Sequence, residues 1–328
     1  MTCQGRKMNN KITYWLDPLA LQELVYVHSR SFVSNFKSNL EPASLEKLIY
    51  DEHIYIEKNE LLEIIDASCK YTSFVPKGTG LELGAGCAAI SVELVKKYPE
   101  IKKIYAVEIV PEIVEFAALP LIEMFKLEDT IIPVVGNFDK MKVSDDSIDF
   151  VVEFDSLHHS FDLMKTIAES GRVLKDGAQL IAIDRSHWNT SKRRRTELEN
   201  QEYSHKFLRD RGMDENKRVT RADNGEHEYL LAEYIQAFKS AGFQKIEWVM
   251  LIDPTLSILK LSLISLISSK FRKNTKYHYI QTWPFQKLLL PVLFMRLLGK
   301  KKFGHFVSLP RKKNSKRFQA KTVIIATR

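Results

Sequence analysis

Cysteine is scarce in this chain of 328 residues, which contains only Cys3, Cys69 and Cys87. An odd number of cysteines argues against a disulfide framework, and these three share no spacing typical of a metal site. We therefore expect a reducing, cytoplasmic environment. Residues 1–10 also lack the apolar core of a signal peptide, so export is not expected.

Long uninterrupted apolar runs are also lacking. Two apolar segments lie near the end of the chain, at residues 256–267 and 285–298, and Lys260 and Arg296 interrupt them. A helix that crosses a bilayer needs about 20 consecutive apolar residues. The sequence therefore predicts no membrane span in these segments.

Acidic residues are missing altogether from residues 255–328. Seventeen of the 49 Lys and Arg residues lie there, so the rest of the chain holds 32 basic against 41 acidic residues and has a net charge of −9. Basic clusters beside apolar helices favour contact with an anionic membrane surface, where each basic residue contributes about 1 kcal/mol. A helical cap packed on the core, or binding of nucleic acid or an anionic glycan, remains open. No RNA-binding motif is visible, so nucleic acid is not the expected partner.

The most informative stretch is residues 81–91, where an apolar strand leads through Gly84-Ala85-Gly86 into a helix. Glycines let the backbone pass close to a ligand, and a helix N-terminus offers free N–H groups. A second strand ends in Glu108, 24 residues after Gly84. An acid at this place can accept both hydroxyls of a ribose, so the pattern predicts a nucleotide pocket.

Glu82, two residues before the first glycine, helps to separate two cofactor classes. The pyrophosphate of a dinucleotide would meet like charge there, whereas a carboxylate favours the sulfonium and ammonium groups of S-adenosylmethionine (SAM). The segment resembles motif I of class I SAM-dependent methyltransferases, Glu-x-Gly-x-Gly-x-Gly. Ala88 stands in the place of the third glycine, a change that costs little where this residue already lies in the helix.

Three later segments extend the resemblance. Residues 136–139 (Gly-Asn-Phe-Asp) follow an apolar run as the adenine-binding Gly-Asp segment does in that family, with Asn137 in place of the usual Asp. Residues 147–159 are similar to the fourth strand and the Leu-His-His turn of the ubiquinone-methylase-like (methyltransferase type 11) branch. Residues 171–178 resemble the run that precedes the fifth strand. Four motifs in the family's order indicate a common fold.

The alternation of strands and helices over residues 76–254 predicts a doubly wound, Rossmann-like α/β fold. The resemblance implies a seven-stranded, mainly parallel sheet whose last strand is reversed. We predict strands at residues 80–83, 103–108, 131–135, 148–154, 179–183, 245–251 and 321–327. We predict helices at residues 88–98, 112–125, 161–170 and 228–241, with a helical excursion at 191–212.

Four regions follow from this pattern: a helical N-terminal cap (1–75), a SAM-binding core (76–254), a basic, apolar helical insertion (255–320) and the final strand of the core sheet (321–328). The insertion is far longer than an ordinary hairpin loop. The cap either shapes the acceptor site or only packs against the core, and both interpretations remain open.

The resemblance implies a SAM-dependent methyltransferase and a set of residues that bind its cofactor. The methionine end, the ribose and the adenine are expected to contact Glu82, Gly84, Ala85, Gly86, Glu108, Ile109, Asn137, Phe138 and Glu153. Methyl transfer depends mostly on alignment of the acceptor and exclusion of water.

Oxygen acceptors also benefit from a general base, and histidine is the usual one. The candidate catalytic residues follow predicted strands, where ligands bind in open α/β sheets: His158, His159, His187 and Asp155. The Leu-His-His turn also has a purely structural interpretation. A metal site from His187, Glu226 and His227 lacks tight ligand spacing, so no metal is expected. Glu226 and Glu228 are interpreted as acids in the first turn of the next helix, and binding of the acceptor by their segment is the alternative.

The expected acceptor is a hydroxyl, or a nucleophilic carbon, of a small-molecule, glycan or lipid-linked compound, reached at the inner face of a membrane. Two other functions remain open. One is an NAD(P)-dependent oxidoreductase, which Glu82 and the segment at residues 136–137 oppose. The other is a catalytically silent membrane-associated protein that has kept a SAM-binding fold. The sequence carries no signal for an oligomeric state.

Overall fold

A computed structural model describes residues 10–16, 65, 74–185, 192–209, 216–252, 305–308 and 321–328. The strands are β1 (Thr13–Tyr14), β2 (Gly78–Leu83), β3 (Ile101–Glu108), β4 (Ile131–Val135), β5 (Ile148–Phe154), β6 (Leu174–Arg185), β7 (Lys245–Ile252), β8 (His305–Ser308) and β9 (Lys321–Thr327). The helices are α1 (Ala89–Lys97), α2 (Pro111–Ile113), α3 (Leu119–Met124), α4 (Leu163–Val173), α5 (Lys192–Glu199), α6 (His205–Arg209) and α7 (Leu231–Ser240). A π-helical stretch, Val114–Ala118, joins α2 to α3.

The described strands form one sheet in the order β1-β4-β3-β2-β5-β6-β9-β7-β8. β9 runs antiparallel to both of its neighbours, and every other pair is parallel. The chain moves outward from β2 through β3 and β4 and then crosses back to β5. This reversal creates a crevice at the carboxyl ends of β2 and β5, where ligands bind in such sheets. The predicted doubly wound, mainly parallel fold is confirmed.

All seven predicted strands are present, and three of them have the predicted bounds (131–135, 148–154 and 321–327). Among the described residues the sheet contains two further edge strands, so nine strands are seen where seven were predicted. β1 pairs with β4 and β8 pairs with β7, within regions that were predicted to be helical. Strands of two and four residues are too short to show an alternating pattern in a sequence.

Several predicted elements lie outside the described residues. These are most of the predicted helical cap (residues 17–64 and 66–73), the apolar segments at 256–267 and 285–298, and His187. Ile65, within the predicted cap, is helical and buried. Among the helices that the structure does describe, none has the length and apolar character needed to cross a membrane.

The two faces of β2 have different roles. Side chains alternate along a strand, so Leu81 and Leu83 share one face and Glu82 lies on the other. Leu81 and Leu83 belong to the core cluster formed with α4 and α7. Glu82 instead faces α1, where Ser91 donates hydrogen bonds to its carboxylate. The period of the strand therefore carries an acid to the start of the first helix.

The turn between β2 and α1 contains three residues with left-handed backbone conformation: Gly84 (φ 67°), Gly86 (φ 52°) and Ala88 (φ 60°). Ala88 is the N-cap of α1, so the expectation that it already lies in the helix is wrong. This conformation costs a non-glycine residue about 1–2 kcal/mol. The Ala88 methyl group is fully buried among apolar side chains, which offsets part of that cost.

We expect Ala88→Gly to leave the free energy of unfolding within about 0.5 kcal/mol of wild type. Relief of the left-handed strain balances the lost methyl burial, about 0.8 kcal/mol, and the greater entropy of the unfolded chain. Urea denaturation measures the change.

Ala89→Gly is the matched control, because Ala89 is equally buried but lies in the helix. It has no strain to relieve, so we expect a loss of about 1–2 kcal/mol. Equal losses in the two variants would contradict strain at Ala88.

Candidate functional site

Glu108 lies at the carboxyl end of β3 and faces the glycine turn. Its Oε2 accepts a hydrogen bond from the Gly86 N–H (3.0 Å), and its Oε1 accepts one from the Val110 N–H (3.0 Å). The Ala85 N–H donates to the Val107 carbonyl (2.8 Å), which holds the turn against the same strand. Burial raises the Glu108 pKa, and the backbone hydrogen bonds oppose that shift. Each carboxylate oxygen retains a lone pair that can accept a ligand hydroxyl.

Glu82 is buried below the same turn. Its Oε2 accepts hydrogen bonds from the backbone N–H (3.0 Å) and the hydroxyl of Ser91, in the first turn of α1. Its Oε1 is buried without a hydrogen-bond partner among the described residues. Burial raises the Glu82 pKa to about 8. A cation placed next to Oε1 would satisfy this oxygen and favour the ionised form.

Gly84 allows the ends of β2 and β5 to touch. A Cβ atom built on Gly84 would lie 2.3 Å from the Ser156 Cβ, so no larger residue fits there. The Ser156 hydroxyl donates to the Leu83 carbonyl (2.7 Å), which fastens the turn after β5 to the end of β2. Gly86, in contrast, has nothing within 4 Å of a built Cβ, so its outer side is open to a ligand.

Glu153 lies under the turn that follows β5. Its Oε1 accepts hydrogen bonds from the backbone N–H groups of Ser156 and Leu157 (2.9 Å for Leu157) and lies 2.9 Å from the Ser156 hydroxyl oxygen. Its Oε2 is buried without a hydrogen-bond partner among the described residues. Burial and the nearby carboxylate of Asp184 raise the Glu153 pKa well above its usual range. The Glu153 carboxylate therefore fixes the backbone of the turn after β5 through these hydrogen bonds.

The segment predicted to bind adenine lies beside the glycine turn. The Asn137 Oδ1 accepts a hydrogen bond from the Asp139 N–H (3.0 Å), so part of the amide is used to close this turn. The half-buried Phe138 ring lies 3.4 Å from a Cβ built on Gly84. Ile109 is half-buried and packs on the cluster around α1 and α3. Residues predicted to bind the cofactor thus lie together at the carboxyl ends of β2, β3 and β4.

Trp15 lies at the carboxyl end of β4, although the sequence analysis did not single it out. The Trp15 N–H donates to the Val135 carbonyl (2.8 Å), which extends the pairing of β1 with β4. The Trp15 ring packs against Gly136, where a built Cβ would lie 3.0 Å from Cε3. A glycine after an apolar strand was the available signal, but nothing in the sequence indicated which aromatic ring it faces.

His158 is buried and forms a pair with Asp184. The His158 Nδ1 lies 2.8 Å from the Asp184 Oδ1, and the His158 backbone N–H donates to the Asp184 Oδ2 (2.8 Å). The Tyr234 hydroxyl donates to the same Oδ2 (3.1 Å). A candidate base and a carboxylate that orients it are thus in contact. The sequence analysis proposed His158 but did not identify Asp184 or Tyr234 as its partners.

Two of the other predicted catalytic residues, Asp155 and His159, lie beside this pair. Asp155 has left-handed backbone (φ 53°), and its Oδ1 lies 3.9 Å from the His158 Nδ1. The half-buried His159 ring packs on the His158 ring with a centroid separation of 4.3 Å. Within the described part of the chain, Asp155, His158 and Asp184 form a group whose possible metal-ligand atoms all lie within 4.8 Å of one another. This group differs from the set of His187, Glu226 and His227 considered from the sequence.

His227 joins the same region through its backbone. Its N–H donates to the His158 carbonyl (2.8 Å), and its ring lies 5.4 Å from the Tyr229 ring. Burial lowers the His227 pKa, which favours the neutral imidazole. The Tyr229 hydroxyl donates to the Ser160 carbonyl (2.7 Å), so the segment before α7 is fixed to the turn after β5.

Glu226 and Glu228 are not acids of a first helical turn, because α7 begins only at Leu231 and Glu233 caps it. Both are buried and form ion pairs with Arg221. Tyr203 and Asn224 donate hydrogen bonds to Glu226, which ties the segment at 192–209 to this region. The interpretation of these two acids as helix-capping residues is therefore wrong.

Residues 81–182 match a family model described as a methyltransferase domain. No curated protein matches the chain.

Three solved structures are similar in shape. A Haloferax volcanii methyltransferase in complex with the Trm112 methyltransferase activator is 15% identical over 90% of this chain and 96% of that one (TM-score 0.48). A SAM-dependent methyltransferase from Aquifex aeolicus is 19% identical over 64% and 93% (TM-score 0.41). Geranyl diphosphate C-methyltransferase from Streptomyces coelicolor, in complex with S-adenosyl-L-homocysteine, is 13% identical over 82% and 81% (TM-score 0.46).

We expect Glu82→Gln to flatten the dependence of stability on pH. In the folded protein Glu82 keeps its proton between the ordinary pKa of 4.5 and about 8, whereas the unfolded chain has lost it. The free energy of unfolding of wild type therefore falls as the pH rises through this window, and glutamine does not titrate. Thermal unfolding over that pH range measures the difference.

Glu93→Gln is the control, because Glu93 is also buried, on α1, but has Lys96 as a partner at 3.5 Å. We expect this variant to keep the wild-type pH dependence. An E82Q protein that loses stability as steeply as wild type would show that Glu82 titrates normally.

Proposed function

We propose that this protein, whose residues 81–182 belong to the type 11 family of class I SAM-dependent methyltransferase domains, methylates a hydroxyl oxygen or a nucleophilic carbon. The methyl donor is S-adenosylmethionine. The acceptor that we propose is a small-molecule, glycan or lipid-linked compound, met at the inner face of a membrane. The observation that carries the acceptor chemistry is the contact of His158 with Asp184 at the carboxyl ends of β5 and β6.

The residues around the glycine turn fit this cofactor. The buried Oε1 of Glu82 suits the ammonium group at the methionine end, and the open side of Gly86 leaves room for a ligand at the turn. Glu108 is held by two backbone N–H groups and retains lone pairs for the two ribose hydroxyls. Asn137 and Phe138, in the turn after β4, would contact the adenine. These assignments agree with the chemistry of a cationic nucleoside ligand.

The sulfonium supplies an activated methyl group, so the protein has to bind and orient the acceptor and to exclude water from the site. A hydroxyl acceptor must also lose a proton as its oxygen bonds to the methyl carbon, and a neutral histidine takes such a proton near neutral pH. His158, His159 and His227 line this side of the crevice. An acceptor carbon with an acidic C–H would use the same base.

The composition of residues 255–328 supports a membrane-derived acceptor. Seventeen basic residues, no acid and two interrupted apolar segments suit an anionic lipid surface. Binding at that surface would bring the crevice close to lipid-linked compounds. This part of the proposal rests on composition, because most of the segment lies outside the described residues.

Calorimetry with SAM tests the cofactor site. We expect Glu108→Ala to weaken SAM binding by about 100-fold, because two hydrogen bonds to a charged acceptor are lost. Glu128→Ala is the control, since Glu128 is exposed and lies beyond α3. Binding of NADH without binding of SAM would instead support the oxidoreductase.

Transfer of a labelled methyl group tests the acceptor. We expect label from SAM to enter lipid-linked compounds in a membrane extract, and both this transfer and binding to anionic vesicles to fall when residues 256–318 are deleted. A milder variant replaces Lys300, Lys301 and Lys302 with glutamine and guards against misfolding of the deletion. Full activity of the deletion variant on a soluble acceptor, with vesicle binding unchanged, would refute the membrane proposal.

A further inference from the structure

Asp184 makes three hydrogen-bonding contacts with two other parts of the chain, the turn after β5 and α7. It lies at the end of β6 and is 3% exposed. Its Oδ2 accepts from the His158 backbone N–H (2.8 Å) and from the Tyr234 hydroxyl on α7 (3.1 Å), while its Oδ1 lies 2.8 Å from the His158 Nδ1. One carboxylate therefore holds both the backbone and the ring of His158.

This contact determines the tautomer of His158. An ionised carboxylate only accepts hydrogen bonds, so the proton of a neutral imidazole must be on Nδ1. Nε2 is then the acceptor. No described residue makes a hydrogen bond to this nitrogen, and the His158 side chain is 4% exposed.

The backbone around His158 is fixed on both sides. Glu153 accepts the N–H groups of Ser156 and Leu157, and the His158 carbonyl accepts from the His227 N–H (2.8 Å). Ser156, two residues before His158, contacts Gly84 of the cofactor turn. The position of Nε2 is thus set relative to the turn that Gly84 begins.

We propose that Asp184 is a positioning residue that presents the His158 Nε2 to the acceptor as its proton acceptor. This rests on the proposed methyl transfer to a hydroxyl or carbon. The acceptor oxygen forms a bond to the methyl carbon, the carbon–sulfur bond breaks with its electrons on sulfur, and the acceptor proton moves to Nε2. His158 becomes an imidazolium stabilised by Asp184, and then releases the proton to water.

A metal ion bound by Asp155, His158 and Asp184 is the competing interpretation of the same residues. It requires Nδ1 without a proton, because that nitrogen would be the ligand. The Asp184 Oδ2 already accepts hydrogen bonds from the His158 backbone N–H and the Tyr234 hydroxyl, so its burial does not require a metal ion. The tautomer of His158 therefore separates the two interpretations.

Nuclear magnetic resonance of protein with ¹⁵N-labelled histidine measures that tautomer in the full chain. We expect wild-type His158 to carry its proton on Nδ1, with or without S-adenosylhomocysteine. In Asp184→Asn the amide can donate to Nδ1, so the Nε2–H tautomer gains population. Tyr234→Phe is the matched control, since it removes one donor from Asp184 but leaves the contact with Nδ1, and its tautomer should equal wild type.

Activity on the labelled acceptor fraction gives the second readout. We expect His158→Gln to lower kcat by about 10²–10⁴-fold. Asp184→Asn should lower kcat strongly with the KM for SAM unchanged, and should add little in the H158Q background, because a residue that acts through His158 has nothing left to position. The pH profile of kcat should shift in D184N but not in Y234F. Other groups facing His158, whose charges enter that profile, are Asp155, His159, His227 and Glu153.

The proposal is overturned by a wild-type His158 that carries its proton on Nε2, by a kcat that collapses with EDTA and returns with Mg²⁺, or by additive losses in the double variant. Failure of the proposed function looks different, since no extract fraction would then accept label although SAM binds. The tautomer measurement does not depend on an acceptor or on the folding of D184N, so in that case it still tests the geometry that the proposal requires.

Discussion

The contact between Gly84 and Ser156 is the constraint on which the rest of the site depends. A side chain at position 84 would lie 2.3 Å from the Ser156 Cβ, and the Ser156 hydroxyl bonds to the Leu83 carbonyl. The ends of β2 and β5 are therefore held together at the crevice. The glycine turn between β2 and α1 starts on one side of this junction, and the turn that carries His158 starts on the other.

Buried carboxylates define the chemistry of this crevice. Glu82, Glu153 and Asp184 are 1%, 0% and 3% exposed. Glu82 organises the first turn of α1, Glu153 the turn after β5, and Asp184 the ring of His158. Burial raises the pKa values of Glu82 and Glu153, so ionisation of these groups makes the folded protein less stable. A cationic cofactor would relieve part of that cost.

Much of the fold was predictable, because long strands and helices leave a periodic pattern. The bounds of β4, β5 and β9 agreed with the prediction, and Glu108 and Gly86, which the sequence spacing singled out, are in contact. Contacts between distant residues left no such pattern. Asp184 and Tyr234 come close to His158 only when β6 and α7 have packed. Arg221 forms ion pairs with Glu226 and Glu228, and the burial of these two acids could not be read from the sequence. The strain at Ala88 was missed because the helix was predicted to begin one residue too early, and a periodic pattern does not define a helix start to one residue.

The place of β9 in the sheet has a consequence for biosynthesis. β9 fills the gap between β6 and β7, yet it follows β7 by 68 residues, from 253 to 320. At about 5–20 residues per second, a ribosome needs roughly 3–14 s to make that segment. During this time the nascent chain holds two strands whose shared partner does not yet exist. Unpaired strand edges recruit other chains, so the newborn protein depends on chaperones most during that interval.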